Sequence, residues 1–465
     1  MRLFNRYYSA YDLLLVLGDV VLVLGVSTAI RAALAWSGSS VDAGSLMSIL
    51  HGLAMVVIVV VAFYYSDLYA IDQTLSLREL SDRFVAGLGV ACIVIGAVSY
   101  PVPNFGKSIY ISEMIIMGVS LGLWRLGFMG VIKRAGIRAK VLIVGNRPIG
   151  RLVAEELYLK KKLGMEVMGF IGQEVGRVSL SYGNPKKVEI PVFSPNSLAG
   201  LVVGRGVNRI LLAGADQLPT AYYNELVAVR AMGVPVEDCH SFYERLASKI
   251  AIADLPPEWI ALSKGFRRDR LILAAKRTID VVASFFGLLL SAPISLLVAI
   301  AIRLESPGPI LYRQERVGQN EKRFILYKFR SMTHNAEASS GPVWAAQDDP
   351  RVTRLGAIIR KLRIDEIPQM INVLKGEMSF VGPRPERPFF VEQLKQKIPY
   401  YDLRHSVKPG ITGWAQICYR YGDSEQDAVE KLQYDLYYIK HMSPIFDLQI
   451  IFESLKVILL GSGAR

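Results

Sequence analysis

The chain has 465 residues, too many for one compact core, so two to four domains are expected. Hydrophobic residues make up 52% and charged residues 20%, and the mean hydropathy is +0.31, which excludes a disordered or fibrous chain and points to membrane segments. The net charge is +13, with 7 Lys/Arg against 8 Asp/Glu in residues 1–130 and 47 against 33 in the rest. The whole basic surplus therefore follows Gly130, where it suits nucleic acid, anionic lipid or phosphorylated substrates equally well. Cys92, Cys239 and Cys418 are too few and too widely spaced for a disulfide framework or a zinc site, and read as reduced thiols.

Four apolar stretches, 13–36, 46–65, 84–100 and 109–129, approach the roughly 20 residues that span a bilayer core. The first also has a basic start, Arg2 and Arg6, and small residues near Ser27–Ala29, as a signal peptide would. Three further stretches behind it favour a retained anchor. The first loop, 37–45, has no Lys or Arg, the second has Arg78 and Arg83, and the third only Lys107. Lys133, Arg134, Arg138 and Lys140 follow the fourth stretch. Positive charge stays cytoplasmic, so both ends of this bundle are expected in the cytosol.

Residues 138–265 read as an α/β module. Strands are expected at 141–144, 166–171 and 209–213, and a loop at 186–195, which contains two prolines, Pro191 and Pro195. Gly145–Gly150 follows the first strand but lacks the middle glycine of a dinucleotide fingerprint, having Arg147 there and Pro148 next. Glu174 stands roughly where a ribose-binding acid would. Tyr158 and Lys162 make a Tyr-x-x-x-Lys pair too early for a dehydrogenase role, so they read as a solvated helix face. The module is expected to be Rossmann-like and structural.

A fifth apolar stretch, 279–304, has Pro293 near its middle. Lys264, Arg267, Arg268, Arg270, Lys276 and Arg277 precede it, and Arg303, Arg313, Arg316, Lys322, Arg323, Lys328 and Arg330 follow. A straight span would export one cluster, so a re-entrant hairpin turning at Pro293 is expected. Beyond Ser306 the chain is basic and rich in Pro and Gly. Its last elements, near 428–442 and 444–460, either lie on the membrane interface or pack on their own domain.

The densest chemistry lies at 354–369, RLGAIIRKLRIDEIPQ. Arg354, Arg360, Lys361 and Arg363 load a short helix with positive charge, and Asp365 and Glu366 follow before Pro368. Adjacent carboxylates beside arginines suit phosphate chemistry, one acid attacking phosphorus while the other holds Mg²⁺. The competing reading is a charged helix end with ordinary ion pairs. Lys328 and Arg330 in KFRSM, and Arg384 between two prolines in GPRPE, add cations beside rigid turns. Lys408, Thr412 and Trp414 in KPGITGW form either a nucleotide platform or a loop plugged into the core. Asp348 and Asp349 read as a turn start that could join a metal site. The five histidines form no spaced metal set, and no Walker A or G-x-S-x-G pattern occurs.

From about Lys276 to Arg465 the chain resembles the bacterial sugar transferase family, the polyprenyl-phosphate hexose-1-phosphate transferases of exopolysaccharide, capsule and O-antigen assembly. The matching blocks are SPGPILYRQERVG, FILYKFRSM, RKLRIDEIPQMINVLKGEMSFVGPRPE, VKPGITGWAQ and KLQYDLYYIK. The resemblance implies a multidomain membrane protein: an α-helical transmembrane bundle (1–135), a Rossmann-like α/β module (136–265), a basic linker with a re-entrant membrane helix (266–305) and a mostly α monotopic catalytic domain (306–465). It implies that Asp365 attacks the β-phosphate of a UDP-sugar and releases UMP, that Glu366 holds Mg²⁺, and that Arg360 and Arg384 bind phosphate, with Lys328 and Arg330 as weaker carry-overs. Ala292 stands between Ser291 and Pro293, where family members often have Ser directly before the proline. The implied partners are a UDP-sugar donor, an undecaprenyl phosphate acceptor, membrane lipid and a second copy in a homodimer, with no nucleic acid. The implied place is the bacterial inner membrane, multi-pass, with the catalytic domain facing the cytosol. Glucose, galactose and 2-acetamido sugars stay open as donors. The alternatives are a membrane-anchored nucleotide-sugar dehydratase or epimerase, opposed by the broken glycine fingerprint, and a non-catalytic assembly scaffold, opposed by the Asp-Glu pair.

Overall fold

A computed structural model describes residues 2–3, 6–7, 10–36, 46–69, 77–99, 107–135, 139–145, 147–159, 165–172, 176–180, 188–194, 198–214, 220–266, 269–333, 349–419 and 424–459. Glu174, Lys162 and Asp348 lie outside these residues. The chain divides into two compact units, which meet in sequence near 237/238.

The first unit begins with four helices, α1 (Ala10–Trp36), α2 (Leu46–Tyr65), α3 (Leu77–Ser99) and α4 (Lys107–Ala135). By length and composition α1, α3 and α4 are long and apolar enough to cross a membrane, and α2 carries a shorter apolar stretch, Ile49–Tyr65. They pack around Val23, Met55, Val59, Phe63, Ile95 and Met117, while Leu17, Val21, Val57, Ile93, Ile115 and Leu123 point outward. The polar groups are inside instead. Arg125 Nη2 meets Asp19 Oδ2 at 2.5 Å, Arg125 Nη1 donates to the Leu68 carbonyl at 3.0 Å, and the guanidinium lies 4.7 Å from the Phe63 ring centroid. Apolar groups facing out and paired charges facing in are the polarity of a bundle solvated by lipid.

The same unit contains a six-stranded sheet. Its strands are β1 (Ala139–Val144), β2 (Met165–Ile171), β3 (Gly176–Leu180), β4 (Val188–Phe193), β5 (Arg209–Leu212) and β6 (Val236–Asp238). The order is β3-β4-β2-β1-β5-β6. β1 pairs parallel with β2 and β5, β2 with β4, and β3 is antiparallel to β4. Without β3 the order is 3-2-1-4-5, that of doubly wound α/β sheets, as the sequence pattern led one to expect. The helices α5 (Pro148–Leu159), α6 (Leu198–Arg205) and α7 (Thr220–Ala231) alternate with the strands. The loop expected at 186–195 is corrected to strand β4 over 188–193. Val188, Ile190 and Val192 alternate, Ile190 is buried, and Pro191 is accommodated opposite Arg177. Gly145 ends β1 at φ +108°, and a Cβ there would lie 2.1 Å from the Ala213 carbonyl oxygen. Its N–H donates to the Ile171 carbonyl, so this glycine serves the turn and the sheet.

The domain boundary expected at 265 lies nearer 238. α8 (Cys239–Ala247), capped by Asp238, and α9 (Pro257–Leu262) belong to the second unit. Ile250, Ile252 and Leu255 sit in one core with Trp414, Leu436, Tyr437 and Phe446. Lys440 donates to Glu244 at 2.7 Å within the same unit. A helix following a strand reads locally as more of the α/β module, and only the tertiary core reassigns it.

The long helix α10 covers Arg270–Glu305. At Pro293, where a hairpin turn was expected, the segment is helical on both sides of the proline, which removes one helix hydrogen bond there. Near its start Lys276 Nζ donates to Asp447 at 2.7 Å and to the Val381 carbonyl at 2.8 Å, and Arg277 donates to the carbonyls of Val373 and Leu374. Near its end Val298 and Ile302 pack on Phe329 and Ile359, and Glu305 accepts from the Leu355 N–H. The middle exposes Phe285, Phe286, Leu289, Leu290, Leu296 and Leu297. Both ends of one apolar helix are thus held by the same folded unit.

The rest of this unit carries an antiparallel pair, β7 (Leu311–Val317) and β8 (Arg323–Phe329), and a parallel pair, β9 (Ser379–Val381) and β10 (Gly410–Thr412). Six helices complete it: α11 (Arg354–Lys361), α12 (Gln369–Lys375), α13 (Pro388–Lys397), α14 (Trp414–Cys418), α15 (Glu425–His441) and α16 (Pro444–Leu459). Tyr437, Tyr438, Phe446 and Ile450 bury the inner faces of α15 and α16 on the core, while Ile445 and Leu448 stay exposed.

Candidate active site

α11 starts at Thr353, whose hydroxyl accepts from the Gly356 N–H at 2.9 Å. It stops at Leu362 because Arg363 adopts a left-handed conformation, φ +54°. A 3₁₀ turn, Ile364–Glu366, then leads through Pro368 into α12. Ile364 and Ile367 pack beside Phe329 and Ile359 and so fix the turn between them. A non-glycine residue at positive φ costs about 1–3 kcal/mol and persists where its surroundings over-determine it. Here it reverses the chain immediately before two carboxylates.

Asp365 and Glu366 are 7% and 6% exposed. Lys328 Nζ on β8 donates to Glu366 Oε1 at 2.9 Å and lies 3.7 Å from Asp365 Oδ2. Arg384 Nη2 donates to the same Glu366 Oε1 at 2.9 Å, and Arg363 Nη1 lies 3.6 Å from Oε2. Burial alone would raise Glu366, but Lys328, Arg384 and Arg363 outweigh it and hold the carboxyl well below the usual range. Burial raises Asp365 against the pull of Lys328, and the charge of Glu366 raises it further. No hydrogen bond engages the Asp365 carboxylate among the described residues. One acid is pinned and its neighbour is left available. Arg360, in the last turn of α11, is half-buried, and its charge reaches Asp365.

The second strand pair brings Arg384 to this place. A Cβ on Gly410 would lie 2.1 Å from the Gly382 nitrogen, so only glycines permit the approach of the GPRP and KPGIT segments. Arg384 Nη1 then donates to Gln416 Oε1 at 3.0 Å. Gln416 closes the VKPGITGWAQ block, and through it that block reaches the site. Gln369, which no sequence motif singles out, is 2% exposed, and among the described residues its amide nitrogen is buried without a partner one helical turn beyond Asp365.

Four expected site residues lie elsewhere. Arg330 is buried and donates to the carbonyls of Pro307, Ile302 and Ser306 and to the Ser306 hydroxyl, which ties down the end of α10. Replacing it by methionine is expected to lower stability by roughly 2–3 kcal/mol, since buried carbonyls lose their donors. A thermal midpoint unchanged in Arg330→Met would refute this assignment. Trp414 is 2% exposed, donates to the Ser248 carbonyl at 2.9 Å and packs on Tyr437 and Phe446, so it is a core plug and not an exposed platform. Thr412 shares a hydrogen bond with Ser454 of α16 at 2.6 Å. Lys408 lies beside Arg277 at the end of α12, and burial together with Arg277 and Lys276 pushes its ammonium down. Asp349 is gripped by Arg351, which holds its carboxyl at about 2, as expected of a turn anchor. Glu321, Asp402 and His405 come together in space, with the Lys395 ammonium between the two acids.

Asp365 and Glu366 offer hard carboxylate oxygens, and Mg²⁺ is commonly bound by one or two carboxylates plus substrate phosphates. Oε1 of Glu366 is shared by Lys328 and Arg384 and Oε2 has Arg363 at 3.6 Å, so an ion here would meet Asp365 and Glu366 among three cations.

A profile of the family described as "Bacterial sugar transferase" matches residues 271–461. The chain is 48% identical over 190 residues to the UDP-N-acetylgalactosamine-undecaprenyl-phosphate N-acetylgalactosaminephosphotransferase of Aeromonas hydrophila, a match covering 41% of this chain and 45% of that one. It is 46% identical over 181 residues to the UDP-glucose:undecaprenyl-phosphate glucose-1-phosphate transferase of Escherichia coli K12, covering 38% of each. To the exopolysaccharide production protein PSS of Rhizobium leguminosarum bv. phaseoli it is 42% identical over 188 residues, covering 39% of this chain and 92% of the relative. The chain belongs to the bacterial sugar transferase family. Its matched part spans less than half the length of the first two relatives. The sugar transferase match contains α10, Lys328, Arg360, Asp365, Glu366, Arg384 and Gln416, and leaves out the bundle and the Rossmann-like sheet.

Proposed function

We propose that this protein transfers a hexose-1-phosphate from a UDP-sugar to undecaprenyl phosphate and so begins an exopolysaccharide, capsule or O-antigen repeat unit. The observation that carries this reading is the unequal pair: Glu366 pinned by three cations, and Asp365 buried beside it, 3.7 Å from the Lys328 ammonium and held by no hydrogen bond among the described residues. Asp365 attacks the phosphorus that bears the sugar, the bond to the bridging oxygen breaks, and UMP leaves. The phosphate oxygen of undecaprenyl phosphate then attacks the same phosphorus, forms the new diphosphate and releases the Asp365 carboxylate. Lys328, Arg360 and Arg384 neutralise phosphate oxygens along the way. Glu366 would hold Mg²⁺, which when bound would supply further charge neutralisation for phosphate oxygens.

The membrane reading supports this chemistry. Both ends of α10 are held by one folded unit, and that favours a helix that enters the bilayer, bends at Pro293 and leaves by the same face. The catalytic unit then lies in the cytosol at the inner membrane, at the level of lipid headgroups, and the basic flanks of α10 stay on one side. Contact with membrane lipid and a homodimer, implied by the resemblance, belong to the same proposal. Accessibility labels at residues 270 and 310 are expected to report cytosol at both; a periplasmic signal at either would sink the re-entrant reading.

The purified protein, given Mg²⁺, undecaprenyl phosphate and a panel of UDP-sugars, is expected to release UMP with one of them. Release of UDP instead would mean ordinary glycosyl transfer and would remove the role given to Asp365.

A further inference from the structure

The segment Gly382–Glu386 contains two prolines that lack N–H groups, yet the carbonyls of Pro383, Arg384, Pro385 and Glu386 are all held. The Pro383 carbonyl accepts from the Gly410 N–H at 2.9 Å, and the Glu386 carbonyl from the Val317 N–H at 3.0 Å. Two arginines take the others. Arg316 Nη1 donates to the Pro385 carbonyl at 3.1 Å, and Arg404 Nη2 to the Arg384 carbonyl at 3.0 Å. Arg404 is 8% exposed. Its Nη1 donates to the Tyr401 hydroxyl at 2.6 Å, and its Nη2 lies 3.0 Å from Asp435 Oδ2 on α15. Asp435 is itself 2% exposed.

We propose that Arg404 and Asp435 are positioning residues for the phosphate-binding Arg384. Asp435 orients the Arg404 guanidinium, and that guanidinium fixes the Arg384 carbonyl. The Arg384 side chain is thereby aimed at Glu366 and Gln416. Neither residue reaches the carboxylate pair, and neither has been assigned a part in the chemistry. The inference rests on the reading of the site proposed above.

The arrangement has a pH dependence. Arg404 and Tyr401 face Asp435 from the 401–406 turn, Glu386 from the segment after Arg384, and Lys431 from α15 itself. Burial pushes Asp435 up to about 6, Glu386 adds to the rise, and Arg404 and Lys431 oppose it. Below that pH Asp435 is neutral and Arg404 loses its counter-charge. The folded chain binds this proton more tightly than the unfolded chain. At this group, acidification from pH 6 toward 4 therefore favours the folded state, and stability falls as pH rises through the window. A loss of function on acidification is then a loosening of the segment and not unfolding.

The test uses the full chain in lipid nanodiscs, as wild type and as Asp435→Asn and Arg404→Lys. Amide exchange is followed at Val317 and Gly410, which donate into the segment, alongside UMP release. Both variants are expected to exchange at least about tenfold faster at these two amides, with α10 unchanged. Their kcat is expected to fall roughly 10- to 100-fold with KM within about twofold. Wild type is expected to show the same faster exchange at pH 5 relative to pH 7.5, after correction for intrinsic rates. The acid fall in its kcat should be absent from the Asp435→Asn profile. Exchange unchanged in the variants, or in wild type at pH 5 if the variants fail to fold, would overturn the inference. Wild type that releases no UMP would instead overturn the proposed reaction, and the exchange result would still decide the positioning role.

Discussion

Replacing Asp365 by asparagine is expected to reduce UMP release by at least about 1,000-fold, the scale on which loss of a covalent nucleophile is felt. An amide is no nucleophile toward phosphorus, and no neighbouring carboxylate is free to substitute, because Glu366 is tied to Lys328 and Arg384. The fold should survive. Asp365 is a buried acid raised by burial and by Glu366, so neutralising it relieves an unfavourable charge. The thermal midpoint should stay level or rise. With donor but no acceptor, wild type should release one equivalent of UMP and gain the mass of a sugar phosphate on the peptide containing Asp365. The variant should do neither. Glu366→Gln makes the contrast: it should also lose activity but should unfold at lower temperature, because three cations would face a neutral amide. A variant lacking Asp365 that still turns over would end the covalent mechanism.

The second large effect is on the fold. Trp414→Ala is expected to cost about 3–5 kcal/mol, as large aromatic truncations in cores do. The indole fills the core made with Tyr437 and Phe446 and satisfies the Ser248 carbonyl. Trp414→Phe should keep most of the packing, lose the hydrogen bond and leave the KM for the UDP-sugar within about twofold. A KM that rose tenfold with an unchanged thermal midpoint would restore the platform reading.

The carboxylate pair and its cations were legible in the sequence because they are local. Arg360, Arg363, Asp365 and Glu366 fall within seven residues, and their chemistry shows without a structure. The membrane helices were legible for a similar reason, since each stretch carries its own hydropathy. Residues that act across the fold were harder to find. Trp414 and Gln416 lie two apart in one motif, and only packing decides that the first is core and the second faces Arg384. Arg330 and Lys328 lie two apart at the end of one strand, yet one closes a helix end and the other meets Glu366. Arg404 and Asp435 join segments 31 residues apart, a distance that no local pattern spans. β4 was missed because Pro191 argues against a strand, while a partner on either side makes one.

The two-ended attachment of α10 has a consequence for lipid composition. A helix that must reach both faces of a bilayer feels its full thickness, and mismatch costs fractions of a kcal/mol per Å. One whose entrance and exit lie on the same side is matched only to the leaflet it dips into. Turnover by the catalytic unit should then change little between bilayers of short and long acyl chains, and it should respond more to the composition and packing of that single leaflet.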